Sequence, residues 1–93
     1  MSPELDLRLI FHSIHNVMLA EEVLLKAGIN IDMIPVPRQI SSDCGMCLAA
    51  DSTDLEKIIS HLKTRYFTSS VQIYQVQSHN QEKTFIKRQE IPA

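Results

Sequence analysis

Glycine, tryptophan and cysteine are scarce in this chain of 93 residues, and each shortage excludes a class of protein. Only two glycines and no tryptophan are present, and aromatic residues make up 5% of the chain. Glycine-rich phosphate loops and stacking platforms for single-stranded nucleic acid are therefore not expected. Two cysteines are too few for a disulfide framework, and with the four histidines they show no zinc-binding spacing. The sequence thus predicts neither a metal nor a cofactor.

Basic charge and long hydrophobic runs are lacking as well. Nine Lys and Arg against eleven Asp and Glu give a formal net charge of −2, whereas binding nucleic-acid phosphates needs a basic surface. No apolar run approaches the roughly 20 residues that cross a bilayer. Residues 1–6 include two acidic residues and lack the basic and apolar regions of a signal peptide. We therefore expect a cytoplasmic domain that binds neither nucleic acid nor a membrane.

The hydrophobic patterns predict six elements in the order β-α-β-β-α-β. Strands are predicted over residues 7–12, 29–36, 45–50 and 71–76, and helices over residues 14–27 and 55–65. Ser13 and Gly28 suit the start and the end of the first helix. Thr53 and Glu56 have the spacing of a capping box at the start of the second helix.

The order of these elements predicts an α+β fold of the ferredoxin-like sandwich type. Right-handed crossovers place both helices on one face of an antiparallel sheet of order 4-1-3-2, in which the second strand lies at an edge. Residues 1–77 would form this single domain. Residues 78–93 would be a C-terminal extension that is polar apart from Thr84, Phe85 and Ile86. That extension is expected to be either a fifth edge strand or a mobile tail.

The face of this sheet that turns away from the helices is expected to be apolar. Alternation along the strands places seven side chains there, those of Ile10, Ile34, Val36, Cys47, Ala49, Tyr74 and Val76. Contiguous apolar patches are rarely left bare on a soluble monomer. We expect a homodimer to cover this face, with the segment Thr84–Ile86 folded across it as the alternative.

The connection between the second and third strands is the part of the chain that packing explains least. It reads IPVPRQISSDCG over residues 34–45, so that two prolines stiffen a polar segment that ends at a thiol. In the predicted sheet the third strand starts beside the end of the first. Cys44 would then lie near His12, His15 and the N-terminus of the first helix, where free N–H groups favour a thiolate, and Arg38 would add a positive charge. The alternative is an inert, buried Cys44 with His12 and His15 as ordinary surface residues.

The pair Cys44-x-x-Cys47 resembles a redox motif in spacing but is not expected to form a disulfide. Three residues of extended chain span roughly 10 Å, whereas the two Cα atoms of a disulfide lie within about 7 Å. An odd separation in a strand also sends the two side chains to opposite faces. Cys47 is therefore predicted to be a packed thiol.

The stretch from Phe11 to Leu48 resembles the selenium/sulfur carrier-like proteins, a family of small bacterial and archaeal domains of unknown function. The matching segments are FHSIH at 11–15, AEE at 20–22, AGI at 27–29 and, above all, IPVPRQISSDCG at 34–45. The residues around Asp54 and the strand from Val71 also fit, so that the resemblance covers about residues 7–76.

The resemblance implies that Cys44 holds sulfur or selenium as a persulfide or selenosulfide. Arg38, Ser41, Ser42 and Gly45 match the motif around that cysteine, and Cys47 would be an accessory thiol. No cofactor is implied, and the partners would be sulfur or selenium donor and acceptor proteins. The chain would then be a carrier rather than a turnover enzyme.

Two other functions fit the same sequence. One is a thiol redox protein in which Cys44 cycles through a sulfenate or a mixed disulfide. The other is a non-catalytic interaction or ligand-binding module, because one fold hosts unrelated functions. A carrier would gain a chalcogen on Cys44, a redox protein would respond to peroxide without a chalcogen donor, and a binding module would tolerate Cys44→Ser.

Overall fold

The computed structural model describes residues 5–40, 44–64, 67 and 69–92. Over these residues the chain forms five strands and two α-helices. The elements are β1 Leu7–Ile10, α1 Ile14–Lys26, β2 Ile31–Pro35, β3 Met46–Ala50, α2 Leu55–Lys63, β4 Val71–His79 and β5 Glu82–Ile91. One turn of 3-10 helix, Ser52–Asp54, precedes α2. In these described ranges neither helix has the length and apolar character needed to cross a bilayer.

The strands form one sheet of order β2-β3-β1-β4-β5, in which every neighbouring pair is antiparallel. The first four strands thus take the predicted order 4-1-3-2, and β2, which ends at Pro35, lies at an edge, where a residue without an N–H is tolerated. The α+β class and the antiparallel sheet with two helices are confirmed. The fifth strand gives the sheet a strand order that differs from that of a four-stranded ferredoxin-like sandwich.

The residues after Gln77 complete β4 and form β5, the second edge of the sheet. The two strands are joined by Asn80 and Gln81, both with positive φ (50° and 70°), which is the backbone of a tight two-residue hairpin turn. The pairing is irregular between Ile73 and Tyr74, where Arg88 is an extra residue on β5. Such a bulge makes an edge strand less ready to pair with another chain.

The two helices begin differently. The Ser13 hydroxyl accepts a hydrogen bond from the Asn16 N–H at 3.2 Å, so the predicted cap of α1 is confirmed. The predicted capping box of α2 is wrong: the Thr53 N–H and hydroxyl both donate to the Asp51 carboxylate, each at 2.9 Å. These hydrogen bonds stabilise the turn of 3-10 helix that precedes α2.

Both helices pack on the same face of the sheet and enclose what we call the main core. The strands contribute Leu7, Leu9, Leu48, Ala50, Val71 and Ile73, and the helices contribute Val17, Ala20, Val23, Leu24, Ile58 and Leu62. Phe11 and Phe67 close one end, with their ring centroids 6.0 Å apart. The predicted facing of β1 is therefore confirmed.

A second group of apolar side chains, here called the outer-face cluster, lies on the other face of the sheet. Its buried members are Ile10, Ile40 and Cys47, and its partly buried members are Ile34, Val36, Tyr74 and Phe85. Ile10 and Cys47 are 2% and 0% exposed, so the predicted alternation is correct. Ile40 from the β2–β3 connection packs with Ile10 and Cys47 at the centre of this face within one chain, and Phe85 from β5 packs at the margin of the cluster. A second copy is therefore not needed to bury that centre.

Asp6, just before β1, ties three segments together. Its carboxylate accepts hydrogen bonds from the Ser52 N–H (2.7 Å), the Ser52 hydroxyl (2.8 Å) and the Gln75 amide (2.7 Å). Its backbone oxygen accepts the Val76 N–H at 2.7 Å. Burial by itself would raise the pKa of Asp6, but the hydrogen bonds from Ser52 and Gln75 outweigh it and lower this pKa below its ordinary value.

Asp6→Asn should therefore lower the free energy of unfolding at neutral pH by about 1–3 kcal/mol, because the partly buried donors of Ser52 and Gln75 lose a charged acceptor. The native pKa of Asp6 lies below its unfolded value of about 3.9. Its stabilisation is thus complete above that value and disappears as pH falls through the native pKa. The free energy of unfolding, measured by urea denaturation between neutral pH and pH 3, should fall less steeply with decreasing pH in the variant than in the original chain.

The matched control is Asp32→Asn, an exposed carboxylate on the edge strand β2. It should leave both the stability and its acid dependence close to those of the original chain. Equal acid dependence in Asp6→Asn and the original chain would contradict the role given to Asp6.

Candidate functional site

Cys44 lies at the end of the β2–β3 connection and is half-buried against the main core. The next residue, Gly45, is exposed and has φ +80°, a conformation that a side chain would strain. The Gly45 carbonyl accepts the Val36 N–H at 3.1 Å, which closes the base of the connection. The glycine thus lets the chain turn into β3 directly after the thiol.

The pairing of β1 with β3 brings Cys44 towards the N-terminus of α1. Ile10 pairs with Cys47, so that the residues before β3 run beside the residues after β1. The paired residues of β1 end at Ile10, so Cys44 lies beyond the paired strands, at the end of the sheet where Ser13 caps α1. Unpaired N–H groups and the positive end of a helix favour negative charge nearby. That the thiol lies close to this helix end stays a prediction.

The charged residues predicted for the site are exposed. His12 follows β1 and His15 lies in the first turn of α1, both at the end of the sheet where the β2–β3 connection starts. Arg38 is exposed in the turn that the Ile40 N–H closes on the Pro37 carbonyl at 3.0 Å. The roles of these three residues stay predictions.

Two of the predicted binding residues cannot be placed. Ser41 and Ser42, together with Asp43, lie outside the described residues. The structure therefore adds nothing on how these side chains relate to Cys44.

The second thiol, Cys47, is completely buried in the outer-face cluster. Its Sγ–H points to the Pro35 carbonyl at 3.8 Å. Burial raises the pKa of the Cys47 thiol to about 11, and the nearby charge of Arg8 opposes this only in part. Charge on Cys44 is a smaller contribution to the same rise in the pKa of Cys47. Cys47 is thus the packed thiol that the sequence predicts, while an accessory role stays a prediction.

The two thiols belong to opposite faces of the sheet. Cys44 packs against the main core, Cys47 belongs to the outer-face cluster, and no disulfide joins them. Cys47 faces outward by the alternation of β3, whereas Cys44 precedes the strand and is separated from it by the turn at Gly45. The prediction that the pair does not bridge is confirmed.

Asn16 is a buried polar residue near this end of the sheet that the sequence did not single out. It is 1% exposed, and its amide donates to the Ser69 hydroxyl at 3.3 Å. This contact joins the first turn of α1 to the segment before β4. An asparagine in the first turn of a helix is usually predicted to lie at the surface. The burial of Asn16 follows from its contact with Ser69, which is distant in the chain.

Metal binding finds no support in the part of the chain that the structure describes. Within residues 5–40, 44–64, 67 and 69–92, no three side chains of His, Cys, Asp or Glu come together to hold a metal ion. What the described residues offer here is a half-buried thiol at the end of the β2–β3 connection, on a small α+β domain.

Comparison with known protein families identifies a family that resembles most of this chain. A family described as "Putative Se/S carrier protein-like" matches residues 6–75, which is most of the chain and includes Cys44. The chain therefore belongs to that family. Searches of the curated proteins and of the solved structures gave no significant match. The matched region ends within β4, so that β5 lies beyond it.

Cys44 should react with iodoacetamide long before Cys47 in the native protein. With a pKa of about 11, Cys47 is a thiolate in only roughly one molecule in ten thousand at pH 7, and it is also shielded from the reagent. Peptide mass mapping over a time course gives the two rates. In urea the two rates should converge, which serves as the control. Equal labelling in the native protein would contradict the site.

Proposed function

We propose that this chain carries sulfur or selenium on the thiol of Cys44, as a persulfide or selenosulfide, and passes it to a partner enzyme. The observation that supports this most is the unequal placement of its two thiols. Cys44 is reachable at the end of a connection, whereas Cys47 is sealed in a cluster with a raised pKa. A carrier needs one accessible thiol, and membership of the family supports the same chemistry.

The transfer proceeds by attack of the Cys44 thiolate on the terminal sulfur of a donor persulfide. A bond forms between Cys44 Sγ and that sulfur, and the sulfur–sulfur bond in the donor breaks. The donor leaves as a thiolate, and the transferred sulfur keeps its proton. An acceptor thiolate then repeats the exchange on the Cys44 persulfide. Selenium follows the same path, and neither step consumes an oxidant or a cofactor.

The residues around Cys44 have roles that suit this exchange. His12 or His15 takes the proton of the thiol or acts as a positive neighbour. Arg38 supplies a permanent positive charge for the anionic chalcogen. Ser41, Ser42 and Gly45 would bind the transferred atom. This set completes the proposed site.

A redox role based on both cysteines is disfavoured. Cys44 and Cys47 lie on opposite faces of the sheet, so a disulfide between them would require β3 to unfold locally. Oxidation of Cys44 alone remains an outcome that the mass experiment below distinguishes. The first four strands and the two helices are interpreted as a ferredoxin-like sandwich. Residues 1–77 would form the carrier domain, and its proposed location is the cytoplasm.

The protein incubated with inorganic polysulfide should gain the mass of one sulfur atom on Cys44, and a thiol reductant should remove it. Intact mass followed by peptide mapping measures this. Cys44→Ser should gain nothing, whereas Cys47→Ala should still gain the atom. A gain of oxygen under peroxide without any gain from polysulfide would favour the redox protein. Sulfur found only on Cys47 would contradict the proposal.

A homodimer through the outer face belongs to the same proposal, although Ile40 covers the centre of that face. Tyr74 is half-buried on this face and would lie in such an interface. Light scattering should then show a dimer for the original chain and a monomer for Tyr74→Lys, with unchanged helix content by circular dichroism. A monomer in both would overturn the dimer and leave the carrier chemistry untouched.

A further inference from the structure

In the part of the chain that the structure describes, the helix face of the sheet is not fully covered. Two α-helices lie over five strands, and a groove with a volume of about 600 Å³ runs between α2 and β5. We call it the α2–β5 groove. A volume of this order is typical of clefts that bind ligands. The family match ends at residue 75, so one wall of the groove lies inside the matched region and the other lies beyond it.

One wall is a single stripe of α2. Leu55 and Ile59, one turn apart, are half-buried against the main core and form the apolar part of this wall. Glu56 and Ser60 lie beside them, and Lys63 follows in the last turn of the helix. Glu56 and Lys63 are separated by roughly 10 Å along the helix axis. The two opposite charges therefore lie at different ends of this wall.

The other wall comes from the bulge in β5. The strand pairing is irregular between Ile73 and Tyr74, where Arg88 is the extra residue. As a result the adjacent residues Arg88 and Gln89 both line the groove, although neighbours in a regular strand point to opposite faces. The bulge thus brings a guanidinium and an amide to the same side of β5.

Hydrogen bonds orient the guanidinium of Arg88. One of its nitrogens, Nη1, donates to Gln75 Oε1 at 3.1 Å. The amide nitrogen of Gln75 in turn donates to the Asp6 carboxylate at 2.7 Å. Because Asp6 fixes the amide, the amide oxygen is presented to Arg88. The guanidinium keeps further N–H groups that can bind an anion.

The two cations of the groove, Lys63 and Arg88, are both exposed and outnumber Glu56. Neither has a carboxylate partner among the described residues. The ion pairs formed there are Lys26–Glu22 and Lys87–Glu90. The groove is therefore a local positive site in a chain whose formal net charge is −2. Together with its apolar wall, this charge is complementary to a segment that bears both carboxylates and apolar side chains.

We propose that the α2–β5 groove binds an acidic peptide segment of a partner protein. Carboxylates of that segment pair with Lys63 and with Arg88, whose planar guanidinium suits a carboxylate. Apolar side chains of the segment pack on Leu55 and Ile59. Glu56 repels a carboxylate at its own end of the groove and so favours one direction of binding. This function goes beyond the proposed carrier role and does not depend on it.

The test uses a fluorescein-labelled peptide of eight residues that alternates glutamate and leucine. Fluorescence anisotropy measures its Kd for the full chain. Lys63→Gln and Arg88→Gln should each weaken binding by about three-fold or more, and the double variant by about ten-fold or more, because charge-assisted contacts are lost. Arg88→Lys keeps the charge and should recover part of the loss. Glu56→Gln should strengthen binding, because it removes a repelling carboxylate from the groove.

Two lysines of the same elements supply matched controls. Lys57 lies on α2 and Lys83 on β5, and both are exposed outside the groove. Lys57→Gln and Lys83→Gln remove the same charge and should leave the Kd within about two-fold of the original. Circular dichroism and thermal unfolding verify that every variant keeps its fold.

The chemistry and the place of binding are checked separately. A peptide with glutamine in place of glutamate, and one with serine in place of leucine, should each bind more weakly. Amide chemical shifts of the labelled protein, followed by NMR during the titration, should change most along α2 and β5. These measurements distinguish the α2–β5 groove from a general attraction between peptide and protein.

Three outcomes would overturn the proposal. They are an absence of binding, equal weakening by the groove variants and by the two lysine controls, and shift changes centred on another surface. None of them bears on sulfur loading of Cys44. Conversely, an absence of loading together with the expected peptide binding would overturn the carrier function alone.

Discussion

The pairing of Ile10 with Cys47 in the centre of the sheet is the constraint on which the rest of the structure depends. It sets the register of β1 against β3 and so decides which side chains face the helices. The same pairing brings the start of β3 next to the start of α1, which carries Cys44 towards a helix N-terminus. A shift of one residue in this register would move the side chains of the shifted strand to the opposite face of the sheet and so disrupt both apolar clusters.

This register also explains why two cysteines three positions apart have different chemistry. Cys47 faces the outer cluster, where loss of water keeps its thiol protonated. Cys44 lies just outside the strand, where Gly45 turns the chain and the thiol stays within reach of solvent. One thiol is therefore packed inside the sheet while the other lies just outside the strand. A spacing typical of a redox pair here separates a buried cysteine from a half-buried one.

The outer face is more than a surface left over from the main core. Ile40 folds onto it from the connection and Phe85 reaches it from β5. The face that alternation predicts to be a bare apolar patch is thus a second small core.

The sequence by itself determined the class of fold, the order of the first four strands, the cap at Ser13 and the facing of β1 and β3. These features depend on local periodicity and on turn residues, which can be recognised without a partner. The family motif likewise singled out Cys44. Other features came only from the tertiary structure. The burial of Ile40 and Asn16 and the packing of Phe85 on the outer face depend on residues distant in the chain. The capping box at Thr53 failed because the Asp51 carboxylate, which follows β3, accepts the Thr53 N–H that Glu56 would have accepted, and also binds the Thr53 hydroxyl. Local patterns state what a residue can do, and long-range packing decides which of those options is used.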